Sequence, residues 1–273
     1  MEPPTTNHDS CRKSLVSLLW FTLCLLAVGL CLSAVAKIWS HLSWWKVFRR
    51  CVSIAAASAL LFFLRYVHRR SIGSLGLGPW KTGRRQVIQG SLLGAGMVLS
   101  IGAAYAAFGI WKFSPYPKAW RVVYTVVGFL PVAYVVGVLE ELIFRGYVLQ
   151  QLLSCSRWLA VVGSSAAYAL VHLRTMDWPG NALELVGLFL LGCVLAIGYL
   201  KTDQLYLSIG LHSILAYWAR VNKLFVEITA PNWEWLVGGN RLVNGVIGWL
   251  ALIAVGWIVA RSRRMSAHGR TGT

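Results

Sequence analysis

The sequence predicts an all-α, polytopic membrane helical bundle of about eight transmembrane helices, seven being the other admissible count. Three observations carry this. Apolar residues make up 57% of the 273 and charged residues only 13%, about half the ~25% of an average soluble domain. Mean hydropathy is +0.62. The apolar residues also gather into runs near the ~20 residues needed to cross ~30 Å of hydrocarbon. Backbone groups in lipid must be satisfied internally, so each run reads as a helix.

The runs fall at roughly 14–36, 47–66, 88–111, 122–140, 157–173, 182–200, 204–219 and 242–260. The first follows Arg12 and Lys13. Ala34-Val35-Ala36 has a faint signal-peptidase look, but the run is too long for a signal peptide and more spans follow, so it is expected to be retained. The second run is weak, with an uncharged stretch of only Cys51–Leu64. Arg49, Arg50 and Arg65 are placed to snorkel at its ends. The seventh run is short enough to be partly re-entrant. The Gly-rich, basic stretch Ser71–Gly90 reads as an interfacial loop anchored by Trp80. Trp44, Trp45, Trp111, Trp120 and Trp178, near run ends, suit an aromatic belt.

The formal charge is +17, yet the basic residues punctuate apolar runs and form no single patch. That pattern argues against nucleic acid as a partner and for loops of a multi-pass membrane protein in a lipid bilayer. With eight spans, Lys and Arg number 15 on the side of the termini and 11 on the other. The expectation is cytoplasmic termini, with a bacterial cell membrane as the location. Residues 1–273 read as one membrane-embedded domain, with basic tails at 1–13 and 261–273. The six cysteines, Cys11, Cys24, Cys31, Cys51, Cys155 and Cys193, show no CxxC spacing and suggest no disulfide framework. They are expected to be small buried hydrophobes.

Ionisable residues inside spans are costly and are functional candidates for that reason. The chain has only nine acids, and two of them, Glu140 and Glu141, end an apolar run together. If this segment is helical, Glu141 and Arg145 are four apart on one face and can pair. Glu140 then points elsewhere, free to act as a general base. Tyr168 and His172 are likewise four apart, and His212 lies in a further apolar run. Two imidazoles and a carboxylate can hold a divalent metal, or activate water and stabilise an oxyanion without one. Glu184, near the start of the sixth run, would suit an ion-coupled transporter. Neither HExxH nor GxSxG occurs, and Ser164-Ser165 reads as helix packing.

The three pieces resemble the CPBP family of intramembrane endopeptidases, which includes the type II CAAX prenyl endopeptidases and Abi-type immunity proteins. Its pattern is EExxxR, FxxxH and HxxxN or HxxxD, each on its own helix. Glu140-Glu141-Leu142-Ile143-Phe144-Arg145 matches in full. Tyr168-Ala169-Leu170-Val171-His172 has Tyr in place of Phe, and His212-Ser213-Ile214-Leu215-Ala216 has Ala in place of Asn or Asp. The resemblance covers about 120–220, the expected catalytic-motif core. It implies an endopeptidase acting on a membrane-associated protein or peptide. Glu140 would be the water-activating base. His172 and His212 would orient water, stabilise the oxyanion or, with Glu140, bind a divalent metal such as zinc. Glu141, Arg145 and Tyr168 would support them. Ala216 removes a donor that Ser213, Tyr217 or Asn222 would have to replace. That departure keeps open a catalytically impaired scaffold or immunity protein of the same fold.

Overall fold

The computed structural model describes residues 7–172, 180–229, 233–239 and 241–262. Trp178, residues 1–6 and the basic tail from 263 onward lie outside the described residues. The helices are α1 (Asn7–Ile38), α2 (Trp44–Phe62), α3 (Trp80–Ala107), α4 (Ala119–Glu141), α5 (Leu149–Leu153), α6 (Arg157–Val171), α7 (Gly180–Thr202), α8 (Tyr206–Val221), α9 (Glu234–Val237) and α10 (Val246–Arg261). A π segment, Phe63–Val67, extends α2, and a second, Leu142–Val148, joins α4 to α5.

Each of the eight apolar runs carries a helix. Among the described residues, five stretches are long and apolar enough to cross a membrane: His8–Ile38, Trp44–Val67, Ile72–Ala107, Ala119–Leu153 and Ala182–Thr202. The weak second run is among them, because its π segment carries the helix past Arg65 to Val67. Helices α6, α8 and α10 have 15, 16 and 16 residues. At ~1.5 Å per residue each is about 22–24 Å long, short of ~30 Å of hydrocarbon.

Large apolar side chains on the outer helices face outward, among them Leu19, Trp20, Leu30, Tyr124 and Val127. Such a surface is at home in lipid. The packed centre lies between α6, α7, α8 and the π segment after α4, where Leu149, Tyr168, Leu195 and Leu211 are almost wholly buried.

The expected loop Ser71–Gly90 is only partly a loop. A short 3₁₀ turn spans Ile72–Leu75, and α3 starts at Trp80, directly after Pro79. The glycines that look like loop signals are contact positions. Gly90 on α3 lies against the backbone of Leu207 and Leu211, and Gly210 on α8 lies against the Val87 carbonyl. A Cβ at either would strike main chain, so the two helices approach as only small residues allow. This contact fixes α8, and with it His212.

A two-stranded antiparallel sheet pairs β1 (Trp111–Phe113), after α3, with β2 (Val226–Ile228), after α8. The register is Trp111 with Ile228, Lys112 with Glu227 and Phe113 with Val226. It is a small departure from a purely helical chain.

The cysteine expectation is corrected. Cys11 and Cys155 form a disulfide across a sequence separation of 144. Cys31 is exposed, and only Cys51 of the four free cysteines is fully buried. Two cysteines so far apart in sequence carry no local pairing signal; only the packing of α1 against the α5–α6 corner brings them together.

Candidate active site

Helix α4 is apolar through most of its length and ends on Glu140 and Glu141. The chain stays helical but widens into the π segment, buried from Leu142 to Tyr147. Such bulges recur at functional sites, because an extra residue per turn re-aims side chains. Glu141 and Arg145 are both fully buried. Arg145 donates from Nη1 to Glu141 Oε1 at 3.0 Å, and from Nη2 to the Gly192 carbonyl on α7 at 3.2 Å. Its guanidinium carbon sits 4.7 Å from the centroid of the Tyr168 ring. A buried ion pair tolerates its lost hydration only with such extra partners.

His212 projects from α8 with its Nδ1 2.8 Å from Glu141 Oε1. An ionised carboxylate only accepts, so Nδ1 carries the proton and Nε2 presents a lone pair. His172 ends α6, and its Nδ1 donates to the Tyr168 carbonyl at 2.8 Å. By the same logic its Nε2 is an acceptor. The two Nε2 atoms lie 3.5 Å (His212) and 3.7 Å (His172) from one oxygen, Glu140 Oε2. That oxygen is buried and without a hydrogen-bond partner among the described residues.

Tyr168 completes the cluster. It is 2% exposed, and its hydroxyl donates to His212 Nε2 at 3.3 Å. Its ring packs edge-on against Phe144 and His212. The exposure is graded: side chains of Glu140 and His172 are 26% and 27% exposed, that of His212 only 4%. The site thus has an open side, at Glu140 and His172, and a closed side, at His212 and Glu141.

This arrangement has a chemical consequence. The Tyr168 hydroxyl donates to the His212 lone pair, while the Glu140 oxygen and the His172 Nε2 lone pair converge as like acceptors, which repel unless a donor lies between them. A water molecule has two protons to give and fits that need. The donor set is also one that zinc accepts. Among the described residues, however, no group of three or more His, Cys, Asp or Glu side chains is arranged to hold a metal ion. The chemistry below is therefore built on this chain's own residues.

The other candidates fall outside the cluster. Ala216 is half-buried, one turn beyond His212, and offers no polar atom. The Tyr217 hydroxyl is committed to the Val126 carbonyl at 2.9 Å. Ser213 Oγ is buried without a hydrogen-bond partner among the described residues and lies against Gly137 of α4. Asn222 is buried in the turn after α8. Ser165 packs against Gly192. Glu184 pairs with Arg241. Two partners left no sequence signal, the carbonyls of Gly192 and of Tyr168, because main-chain acceptors are the same at every residue.

Residues 122–218 match a family model, that of the type II CAAX prenyl endopeptidase Rce1-like proteins. No curated protein and no solved structure matches the chain. The matched stretch contains Glu140, Glu141, Arg145, Tyr168, His172 and His212. Over this segment the chain is similar to the Rce1-like family of type II CAAX prenyl endopeptidases.

Proposed function

We propose that the protein is an intramembrane endopeptidase that hydrolyses a peptide bond of a membrane-associated protein or peptide with water activated by Glu140. The observation that carries this is the meeting of Glu140 Oε2 with the Nε2 atoms of His172 and His212. A water donating to this cluster loses a proton to Glu140 as its oxygen attacks the scissile carbonyl carbon. The tetrahedral intermediate then expels the amine, which takes the proton from Glu140. A carboxylic acid and an amine are the products, and the glutamate returns to its ionised form.

The supporting residues divide the remaining work. Glu141 fixes the His212 tautomer through Nδ1, and Arg145 holds Glu141. Protonation of either histidine at Nε2 would turn that atom into a donor for the oxyanion. Tyr168 supplies a hydroxyl on the closed side. His172 and Glu140, on the open side, are placed to meet the substrate.

Ala216 favours a second reading, a catalytically impaired member of the fold that acts as a scaffold or immunity protein. Glu184, which would suit an ion-coupled transporter, is paired with Arg241.

The experiment compares membrane-protein N-termini by mass spectrometry in cells lacking the protein. One set is complemented with wild type, the other with Glu140→Gln at matched expression. New N-termini confined to the wild type are expected. Identical profiles in both, with substrate-bearing membranes confirmed, would favour the scaffold.

A further inference from the structure

Away from the proposed active site, α1 and the end of α2 border an open groove of about 750 Å³. On α1 its wall follows one face, with Lys13, Val16, Trp20 and Leu23 at helical spacing. Across from them stand Phe62 and Val67 at the end of α2. A smaller hollow of about 420 Å³, bounded by Asp9, Arg12, Lys13 and Val16, adjoins it and shares Lys13 and Val16.

The chemistry changes in order along this groove. The mouth holds two cations, Arg12 and Lys13, and one acid, Asp9. One turn deeper is a polar waist. There His68 Nε2 lies 3.1 Å from both Ser17 Oγ and Tyr147 Oη, and 3.3 Å from Gln151 Nε2. Beyond it the walls are apolar as far as Ala27. From Lys13 to Ala27 is fourteen residues, about 21 Å at ~1.5 Å per residue. One leaflet of a ~30 Å hydrocarbon core is about 15 Å deep, so the groove runs from headgroup level through a leaflet.

We propose that this groove binds an anionic phospholipid, phosphate at Arg12 and Lys13, glycerol esters at the waist and one acyl chain along the shaft. The order of charged, polar and apolar walls matches the order of those parts in the lipid. Ser17 and His68, which line the groove at this level, are the polar groups that meet the ester oxygens, with the buried Tyr147 hydroxyl bonded behind them. The excess of cations over Asp9 selects a negative headgroup over a zwitterionic one. The bound lipid would brace α1, which has few buried residues of its own, against α2 and the π segment after α4.

The test uses purified full-length protein and native mass spectrometry. The protein is incubated with equal amounts of phosphatidylglycerol and phosphatidylcholine carrying identical acyl chains. Wild type is expected to retain phosphatidylglycerol in roughly tenfold excess. The Arg12→Ala/Lys13→Ala protein should take the two lipids equally. Ala27→Trp, which plugs the shaft, should lose retained lipid of both kinds. Arg12, Lys13 and Ala27 are all exposed, so these changes leave the packing of the bundle alone. Equal retention of the two lipids by wild type would overturn the proposal. So would an undiminished preference in the double variant, or undiminished retention with Ala27→Trp.

Discussion

At the scale of residues, the proposed mechanism gives one glutamate the chemistry and the other the structure. Glu140 and Glu141 are neighbours in sequence, but a helix turns ~100° between them. One reaches the open side, and the other is fully buried between Arg145 and His212. Their substitutions should fail differently. Glu140→Gln keeps size and hydrogen bonding but removes the proposed base. Proteolysis should fall roughly 10²–10⁴-fold with the melting temperature unchanged, as read by a cleavage assay beside a thermal melt. Arg145→Met strips the buried Glu141 of its counter-charge. Breaking such a pair costs about 3–5 kcal/mol, so this variant should lose stability as well as activity in the same two measurements.

At the scale of elements, the site depends on how closely helices approach. The α3–α8 contact through Gly90 and Gly210 is set by main chain against main chain. Gly90→Leu should force α8 outward and carry His212 from Glu141. A cost of about 1–3 kcal/mol or more is expected from overpacking, seen as a lowered melting temperature with activity lost. The π segment after α4 joins two clusters, since its Arg145 serves the active site and its Tyr147 meets His68.

His68, beyond the end of α2, has its pKa held below the ordinary 6.5, first by burial and then by the nearby Arg70 charge. The unfolded chain therefore takes up the proton more readily than the folded one. Stability is full above about pH 6.5 and declines as pH falls below it. Melting temperatures across this range should drop on acidification in wild type, and less in His68→Gln.

At the scale of the molecule, the Cys11–Cys155 disulfide ties the first helix to the corner between α5 and α6. Cross-links of this kind contribute about 2–4 kcal/mol. Cys11→Ser should lower the melting temperature under oxidising conditions and leave it unchanged under reduction. Disulfides also persist mainly in oxidising compartments. The face on which α1 begins is therefore expected to lie outside the cytosol, against the direction of the charge tally. That tally differs by only four residues. Membrane-impermeant maleimide applied to intact cells after mild reduction should label Cys11; labelling only after lysis would put the face inside.

The membrane bundle and its helical runs were legible in the sequence, because lipid demands continuous apolar helices and composition records that demand. The Glu-Glu-Arg, Tyr-His and His segments were legible too, because charge in an apolar run is costly and stands out. The helix ends were less so: Gly83 and Gly90 looked like loop but lie in α3, since a glycine signals a turn and a close contact alike. Only the tertiary structure decided which atoms meet. It set both histidine tautomers through Glu141 and the Tyr168 carbonyl, brought two Nε2 atoms to one Glu140 oxygen, and joined Cys11 to Cys155. Those contacts connect residues far apart in the chain, and their geometry is a product of helix packing, which local sequence does not encode.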